Sequence, residues 1–288
     1  MIDQYVLCNS TRMSPEAPVP VLNPEEIYFT PGGAGNVAIN LSELGASVTC
    51  LGTVGLDKNG KKLKNLLIQK NINVENLYET DLPTTLKKRY YLKGKQVLRV
   101  DIEEINEYWS PKNLDFDYNK YDIIILSDYN KGVLNNQWFS KIKAKNIVVD
   151  PKKDNFSFYS NATIITPNLN ELQKAANTEI NNNDTLIKVC QSMIKNSNLE
   201  YILAKKGDKG ISIVGRDGFV KHIDAYKVND PDVTGAGDTV IAVFSLSLAK
   251  TNDVEKSARI ANAVAALVVE KKGTAFVTLD EFNSLKNF

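Results

Sequence analysis

Short apolar runs punctuate the second half of the chain. Ile123–Leu126, Ile147–Val149 and Ile164–Ile165 are nearly continuous apolar stretches, the pattern of parallel strands buried on both faces. Tyr201–Ala204, Ile211–Val214 and Gly218–Ile223 read as further strands, and Ala236–Lys250 and Val254–Lys271 as long helices. This alternation predicts an α/β fold with a doubly wound, mostly parallel sheet flanked by helices. The first half reads differently. Val48–Val54 is a strand followed by a basic amphipathic helix carrying Leu63, Leu66 and Leu67. Thr84–Leu92 and Gln96–Glu103 alternate around Lys93-Gly94-Lys95, which predicts a hairpin. Ser14–Val21 is proline-rich and extended, Asn23-Pro24-Glu25-Glu26 reads as a turn, and Ile27–Phe29 as a returning edge strand. Residues from about 3–29 and 84–103 are therefore expected to form a small β-sheet lid, inserted in a single domain spanning 1–288.

Two glycine-rich loops open onto predicted helices. In the later one, Asp232-Val-Thr-Gly-Ala-Gly-Asp238, the glycines Gly235 and Gly237 stand at the mouth of the helix. A helix start leaves N–H groups unpaired at the positive end of its dipole, and residues without Cβ let a phosphate approach them. A carboxylate next to that site, Asp238, suits a base that takes a proton from an attacking hydroxyl. Gly-x-Gly alone would serve equally as a helix cap. The earlier loop, Pro31-Gly32-Gly33-Ala34-Gly35-Asn36, runs into Val37, Leu41 and Leu44 at helical spacing, and Asn36 offers a donor and an acceptor. Doubly wound sheets bind ligands beyond the carboxyl ends of their strands. Ser127–Lys131, Asp150–Lys152 and Pro167–Glu171 all follow strand ends.

Composition narrows the chemistry. With 288 residues, 43% hydrophobic and 24% charged, the chain is expected to be globular with an ample core. A net charge of +1 implies no global pull toward nucleic acid or a membrane, so any anion site is local. The apolar runs are too short to span a bilayer, and the N-terminal residues lack the pattern of a secretory signal. Three scattered cysteines and one histidine, His222, argue for a reducing cytoplasm and against a zinc centre or a Ser-His-Asp triad.

Gly32-Gly33-x-x-Asn36, Asn168-x-x-Glu171 and Asp232-x-Thr-Gly-Ala-Gly-Asp238, in this order, resemble the ribokinase-like (PfkB) family of carbohydrate kinases over nearly the whole chain. Ser14–Pro20, Pro31–Ala38, Ser127–Gly132, Asp150–Lys152 and Thr166–Glu171 look most like its heptose-phosphate branch. That branch phosphorylates C1 of D-glycero-β-D-manno-heptose 7-phosphate for ADP-heptose synthesis. The resemblance implies ATP and Mg²⁺ as cofactors, with Asp238 as general base and Gly235, Ala236 and Gly237 as an anion hole. It implies that Asn168, Leu169, Asn170 and Glu171 organise the nucleotide, Asn168 and Glu171 holding the metal through water. Lys205, Gly207 and Gly210 match the nucleotide loop, Lys205 replacing a usual Thr, and Asn262 matches a position near adenine. Asp3, Gly32, Gly33 and Asn36 match sugar contacts, and Arg12, Lys131 and Lys152 are candidates for the sugar phosphate. Arg99 is expected to pair with Asp101 or Glu103 instead.

The resemblance also implies a homodimer through the lid sheet. Some relatives carry a fused nucleotidyltransferase domain, for which this sequence, ending at Phe288, is expected to leave no room. Relatives begin with a full apolar strand ahead of the aspartate matched by Asp3, so the first sheet strand is expected to be missing here, either because the start was assigned too late or because the protein lacks it, the second case leaving costly open edges. Competing readings are a kinase of ribose, fructose or a nucleoside, and a non-catalytic sugar- or nucleotide-binding remnant. An NAD-dependent dehydrogenase fails, because no Gly-x-Gly-x-x-Gly follows a first strand.

Overall fold

The computed structural model describes residues 1–104, 116–160, 162–271, 273 and 275–285. Its strands are β1 (Ile2–Asn9), β2 (Asn23–Pro31), β3 (Thr49–Gly55), β4 (Asn73–Thr80), β5 (Leu86–Leu92), β6 (Lys95–Ile102), β7 (Ile124–Ser127), β8 (Ile147–Asp150), β9 (Ile164–Ile165), β10 (Tyr201–Lys205), β11 (Ile211–Gly215) and β12 (Val220–Ile223). The helices are α1 (Ala34–Glu43), α2 (Lys58–Ile68), α3 (Asn136–Phe139), α4 (Leu169–Ala176), α5 (Asn183–Ser197), α6 (Ala236–Thr251), α7 (Val254–Val269) and α8 (Leu279–Ser284).

Among the described residues the main sheet has six strands in the order β12-β11-β10-β9-β8-β7. The strands from β7 to β10 are parallel, and β11 and β12 close the far edge as antiparallel strands. Val148, Val149, Ile164, Ile165, Ile202 and Leu203 are all buried, because helices cover both faces. On one face Leu172, Leu186 and Cys190 pack against the sheet; on the other the neighbours are Ile241, Phe244, Ala261 and Val264. Each α-to-β alternation therefore aims its strand's carboxyl end at the same edge, where Ser127, Asp150 and Lys205 lie.

The lid is a separate four-stranded sheet, β2-β1-β5-β6. Its register alternates the side chains, with irregularities between Leu7 and Cys8 and between Tyr90 and Tyr91. Asp3 pairs across with Lys87 and Thr30, and Tyr5 with Arg89 and Tyr28, so this face is polar and aromatic. Val6 lies opposite Ile27 and Tyr90, and Tyr90 opposite Leu98, which puts the exposed Ile27, Leu98, Val100 and Ile102 on the other face. Arg99 pairs with Asp101 at 2.9 Å, as its spacing predicts.

Two details correct the sequence reading. Asn23–Glu26 is not a turn but the start of β2. Pro24 is tolerated because β2 is an edge strand and the register shifts opposite it, between Leu7 and Cys8. Gly218 belongs to the turn before β12 rather than to the strand; its φ of 87° is one that a strand residue does not adopt.

β3 and β4 pair in parallel with each other and, among the described residues, with no further strand. Between β3 and β7 lies a cleft of about 910 Å³, lined by Leu51, Val54, Ile125, Val37, Leu41 and Val243 among others.

Candidate active site

Asp238 stands in the first turn of α6 and is buried, with 7% of its surface exposed. Both of its oxygens are taken. Asn36 Nδ2 donates to Oδ2 at 3.0 Å, and the Tyr129 hydroxyl donates to Oδ1 at 2.8 Å. Burial is the main influence on its acidity and pushes the carboxyl up to about 6, with Asp150 pushing the same way and Asn36, Tyr129 and Lys205 opposing. A carboxylate that titrates near neutrality, at the positive end of a helix, has the acidity a general base needs.

The loop leading into α6 is built for an anion. Gly235 has φ 80°, and no side chain caps the helix. Its first N–H groups lack a side-chain acceptor, although Ala236 N donates to the backbone oxygen of Val233 at 3.2 Å, a bond that a phosphate on this loop has to replace. Asp232 anchors the loop: its Oδ1 accepts from Thr234 N at 3.0 Å and its Oδ2 from Gly273 N at 2.8 Å. A Cβ on Gly237 would sit 3.5 Å from Lys205 Nζ, so that ammonium faces the loop directly. Lys205 is held there by an ion pair with Asp150, which also accepts from Thr166 Oγ1 at 3.1 Å. Ala236 opens the helix behind Gly235.

The sugar-side residues gather against Asp238. A Cβ on Gly32 would lie 3.0 Å from the Asp3 carboxylate, and one on Gly33, where φ is 57°, would lie 2.9 Å from the Tyr129 ring. Only glycine lets the backbone pass between these groups. Asp3 and Arg89 form an ion pair at 3.0 Å, both nearly inaccessible. A buried hydrogen-bonded rail stands behind Asn36. Asn40 Nδ2 donates to Asn36 O at 2.9 Å, and Thr239 Oγ1 donates to Asn40 Oδ1 at 3.2 Å, so α1 and α6 are locked together.

Across the strand ends, Asn168 and Glu171 form a capping box at the start of α4. Glu171 N donates to Asn168 Oδ1, and Asn168 N to Glu171 Oε2, both at 2.9 Å. Glu171 Oε1 keeps a second partner, the half-exposed Lys152 ammonium, at 3.1 Å. Leu169 and Asn170 occupy the first turn of α4, with Asn170 exposed. Gly207 is exposed with φ 61°, whereas Gly210 presses on β12, where a Cβ would fall 2.0 Å from Ile223 O. Asn262 Nδ2 donates to Asp224 O at 2.8 Å, tying α7 to the same segment. Lys131 pairs with Glu103 at the end of the lid. Arg12 is exposed in the β1–β2 connection, and no contact links it to Asp238 or Lys205.

The structure therefore brings Asp3, Gly32, Gly33, Asn36 and Gly235–Asp238 together, with Lys205 beside them. Asn168 and Glu171 flank this group, Gly207, Gly210 and Asn262 form a second group, and Arg12 stands apart. Sequence reasoning passed over Tyr129, Asp150 and Arg89. Tyr129 and Asp150 stand in polar stretches at strand ends, which was a usable signal; Arg89 lies mid-strand and gave none.

The chain matches the description "pfkB family carbohydrate kinase" over residues 2–281. It is 38% identical over 289 residues to "Bifunctional protein HldE" of Coxiella burnetii (strain Dugway 5J108-111), covering 98% of this chain and 61% of that protein. The protein of the same name from Campylobacter jejuni (strain RM1221) is 37% identical, covering 100% of this chain and 63% of its own length. The chain thus spans about three fifths of the curated relatives it matches. Among solved structures, Escherichia coli phosphofructokinase-2 in complex with substrates and products superimposes with a TM-score of 0.81 at 20% identity, over 99% of this chain and 95% of that one. Arabidopsis thaliana ribokinase complexed with ribose and ATP gives 0.80 at 19% identity, over 100% and 96%. These likenesses show the ribokinase-like fold. With a family match running almost from end to end, this chain belongs to the pfkB family of carbohydrate kinases.

Proposed function

We propose that this chain is one kinase domain that transfers the γ-phosphoryl group of ATP to the C1 hydroxyl of D-glycero-β-D-manno-heptose 7-phosphate, a step toward ADP-heptose. The observation that carries the kinase reading is the buried Asp238, held by Asn36 and Tyr129 at a glycine-lined helix start that no side chain caps. The heptose reading rests on Ser14–Pro20, Ser127–Gly132 and Asp150–Lys152, and on the identity to proteins named HldE.

In this reading Asp238 takes the proton from the C1 hydroxyl as its oxygen attacks the phosphorus. The N–H groups at Gly235, Ala236 and Gly237 receive the charge that builds on the phosphoryl oxygens. Lys205, replacing a neutral side chain, adds a positive charge beside them. Asp3, Gly32, Gly33 and Asn36 orient the sugar. Leu169, Asn170, Gly207, Gly210 and Asn262 frame the nucleotide. Asn168 and Glu171 suit Mg²⁺ held through water. Their oxygens are hard donors, and the Glu171 oxygen now facing the accessible Lys152 ammonium already accepts a cation. Bound there, Mg²⁺ would neutralise phosphate charge. Lys131 and Lys152 are the cations for the 7-phosphate; Arg12, expected from the sequence to join them, stands apart from the site in the exposed β1–β2 connection. Lys131 and Lys152 must exchange Glu103 and Glu171 for the phosphate.

An ADP-release assay with heptose 7-phosphate, ribose and fructose tests this reading. Turnover of the heptose phosphate above the other two is expected. Faster turnover of ribose or fructose would assign a different sugar, and no turnover by a folded, ATP-binding sample would overturn the kinase reading.

The lid supports a homodimer. Its apolar outer face carries Ile27, Leu98, Val100 and Ile102, all exposed in the single chain. Light scattering at micromolar concentration is expected to report twice the 32.0 kDa chain mass. Leu98→Asp with Val100→Asp is expected to return it to the monomer, while a monomeric parent would refute the dimer.

A further inference from the structure

We infer that Tyr129 is a positioning residue for Asp238: its hydroxyl holds one carboxylate oxygen until the sugar hydroxyl arrives and takes that oxygen over. The inference rests on the kinase reading for the arriving hydroxyl, but not for the contact itself.

Asp238 has two donors on different supports, one on a helix and one on a loop. Asn36 belongs to α1 and is braced through Asn40 to Thr239 on α6, so Oδ2 is held from within the two packed helices. Tyr129 belongs to the loop after β7 and reaches Oδ1 from 109 positions away in sequence. The following Asn130 is left-handed, with φ 52°, and its N–H donates to Asp128 Oδ1 at 2.6 Å, a local tie that leaves the Tyr129 side chain unbraced by a helix. The Tyr129 ring lies on Gly33, in the backbone of the loop proposed to receive the sugar. A sugar seated on Gly32 and Gly33 therefore meets the ring and the Asp238 oxygen together. Oδ1 is thus the oxygen whose donor comes from a loop, while the donor on Oδ2 stands on a helix tied to α6.

The direction of the hydrogen bond is settled by electrostatics. Burial, followed by the Asp238 and Asp150 charges, drives the Tyr129 phenol far above its ordinary range, so it stays protonated and donates. The groups facing Asp238 are Asn36 from α1, Tyr129, Asp150 from the end of β8 and Lys205 from the end of β10, while Asp3 from β1 faces the phenol. A donor on the carboxylate favours its charged form. Tyr129 thus orients the carboxylate and also keeps it ionised before the sugar binds.

The test is a carbon-13 NMR titration of the Asp238 carboxyl in the full chain without sugar or ATP, with Asp238→Asn assigning the signal. Tyr129→Phe keeps the ring on Gly33 and is expected to raise the midpoint by roughly one pH unit. The acid limb of kcat/KM is expected to move with it. If the Phe variant does not fold, 3,5-difluorotyrosine at position 129, a stronger donor of the same shape, is expected to lower the midpoint instead. Titrations that superimpose on the parent overturn the inference. A shifted titration without turnover of any sugar leaves this contact standing and defeats the kinase reading, whereas turnover with unshifted titrations does the reverse.

Discussion

Asp238→Asn is expected to lose at least about a hundredfold in turnover, the lower end of what a general base contributes, and at the same time to stabilise the folded protein. The two effects share one cause. In the folded chain the carboxyl titrates near 6, against 3.8 for an unburied aspartate. Between those values the native state binds more protons than the unfolded state, so stability falls as pH rises through the window and stays reduced above it. The shift of about two units corresponds to about 3 kcal/mol at neutral pH. Asparagine is nearly isosteric, carries no charge to desolvate, and still offers an oxygen to Asn36. Urea unfolding at pH 7.5 should therefore find the variant more stable by up to about 3 kcal/mol. Below about pH 4 the two proteins should converge, because both are then neutral at this position. A variant less stable than the parent at pH 7.5 would mean that burial does not dominate the site. A variant with near-normal turnover would refute Asp238 as the base.

The second large effect belongs to the lid. Arg89→Met is expected to cost about 3–5 kcal/mol, because it strands a carboxylate that has been removed from water. Asp3 and Arg89 are 4% and 8% exposed, and they join β1 to β5 across the parallel pairing of the lid. At the surface such a pair would be worth less than about 1 kcal/mol. Denaturant midpoints separate the two magnitudes. The double variant Asp3→Asn with Arg89→Met removes the stranded charge and should regain most of the loss. Sugar turnover should stay low in both variants, because Asp3 lies against Gly32. Recovery of stability without recovery of activity would separate the structural part of the pair from its part in the sugar site.

Much of this arrangement was legible in the sequence because it depends on neighbours along the chain. Ile147–Val149 and Ile164–Ile165 are apolar on both faces because helices cover both sides of the sheet, and a continuous run records that directly. Gly235, Gly237 and Asp238 share one helix start, so their proximity needs no tertiary information. The rest depends on residues far apart. Nothing near Tyr129 shows that its hydroxyl meets a carboxylate more than a hundred positions later. Arg89 looks like one cation in a basic strand until register sets it beside Asp3. Pro24 suggested a turn because a proline signals edge strand and turn alike, and only the pairing with β1 separates them. Asn168-x-x-Glu171 has a similar ambiguity. Its spacing suits both a capping box and a pair of oxygen donors, and the fold makes the box while leaving one Glu171 oxygen on a replaceable partner.

The cleft between β3 and β7 has a practical consequence for the stability measurements proposed above. Environment-sensitive dyes such as ANS report unfolding by brightening on apolar surface that the native state conceals. Here the native state already presents the half-buried Leu41, Leu51 and Ile125 to the cleft, so the dye baseline should be high before any heating. Trp138 offers a better witness. It lines the same cleft, is 3% exposed, and its indole N–H donates to Tyr118 at 3.0 Å. Loss of that environment should shift its emission as the chain unfolds, and whatever enters the cleft should perturb the same signal while the chain remains folded.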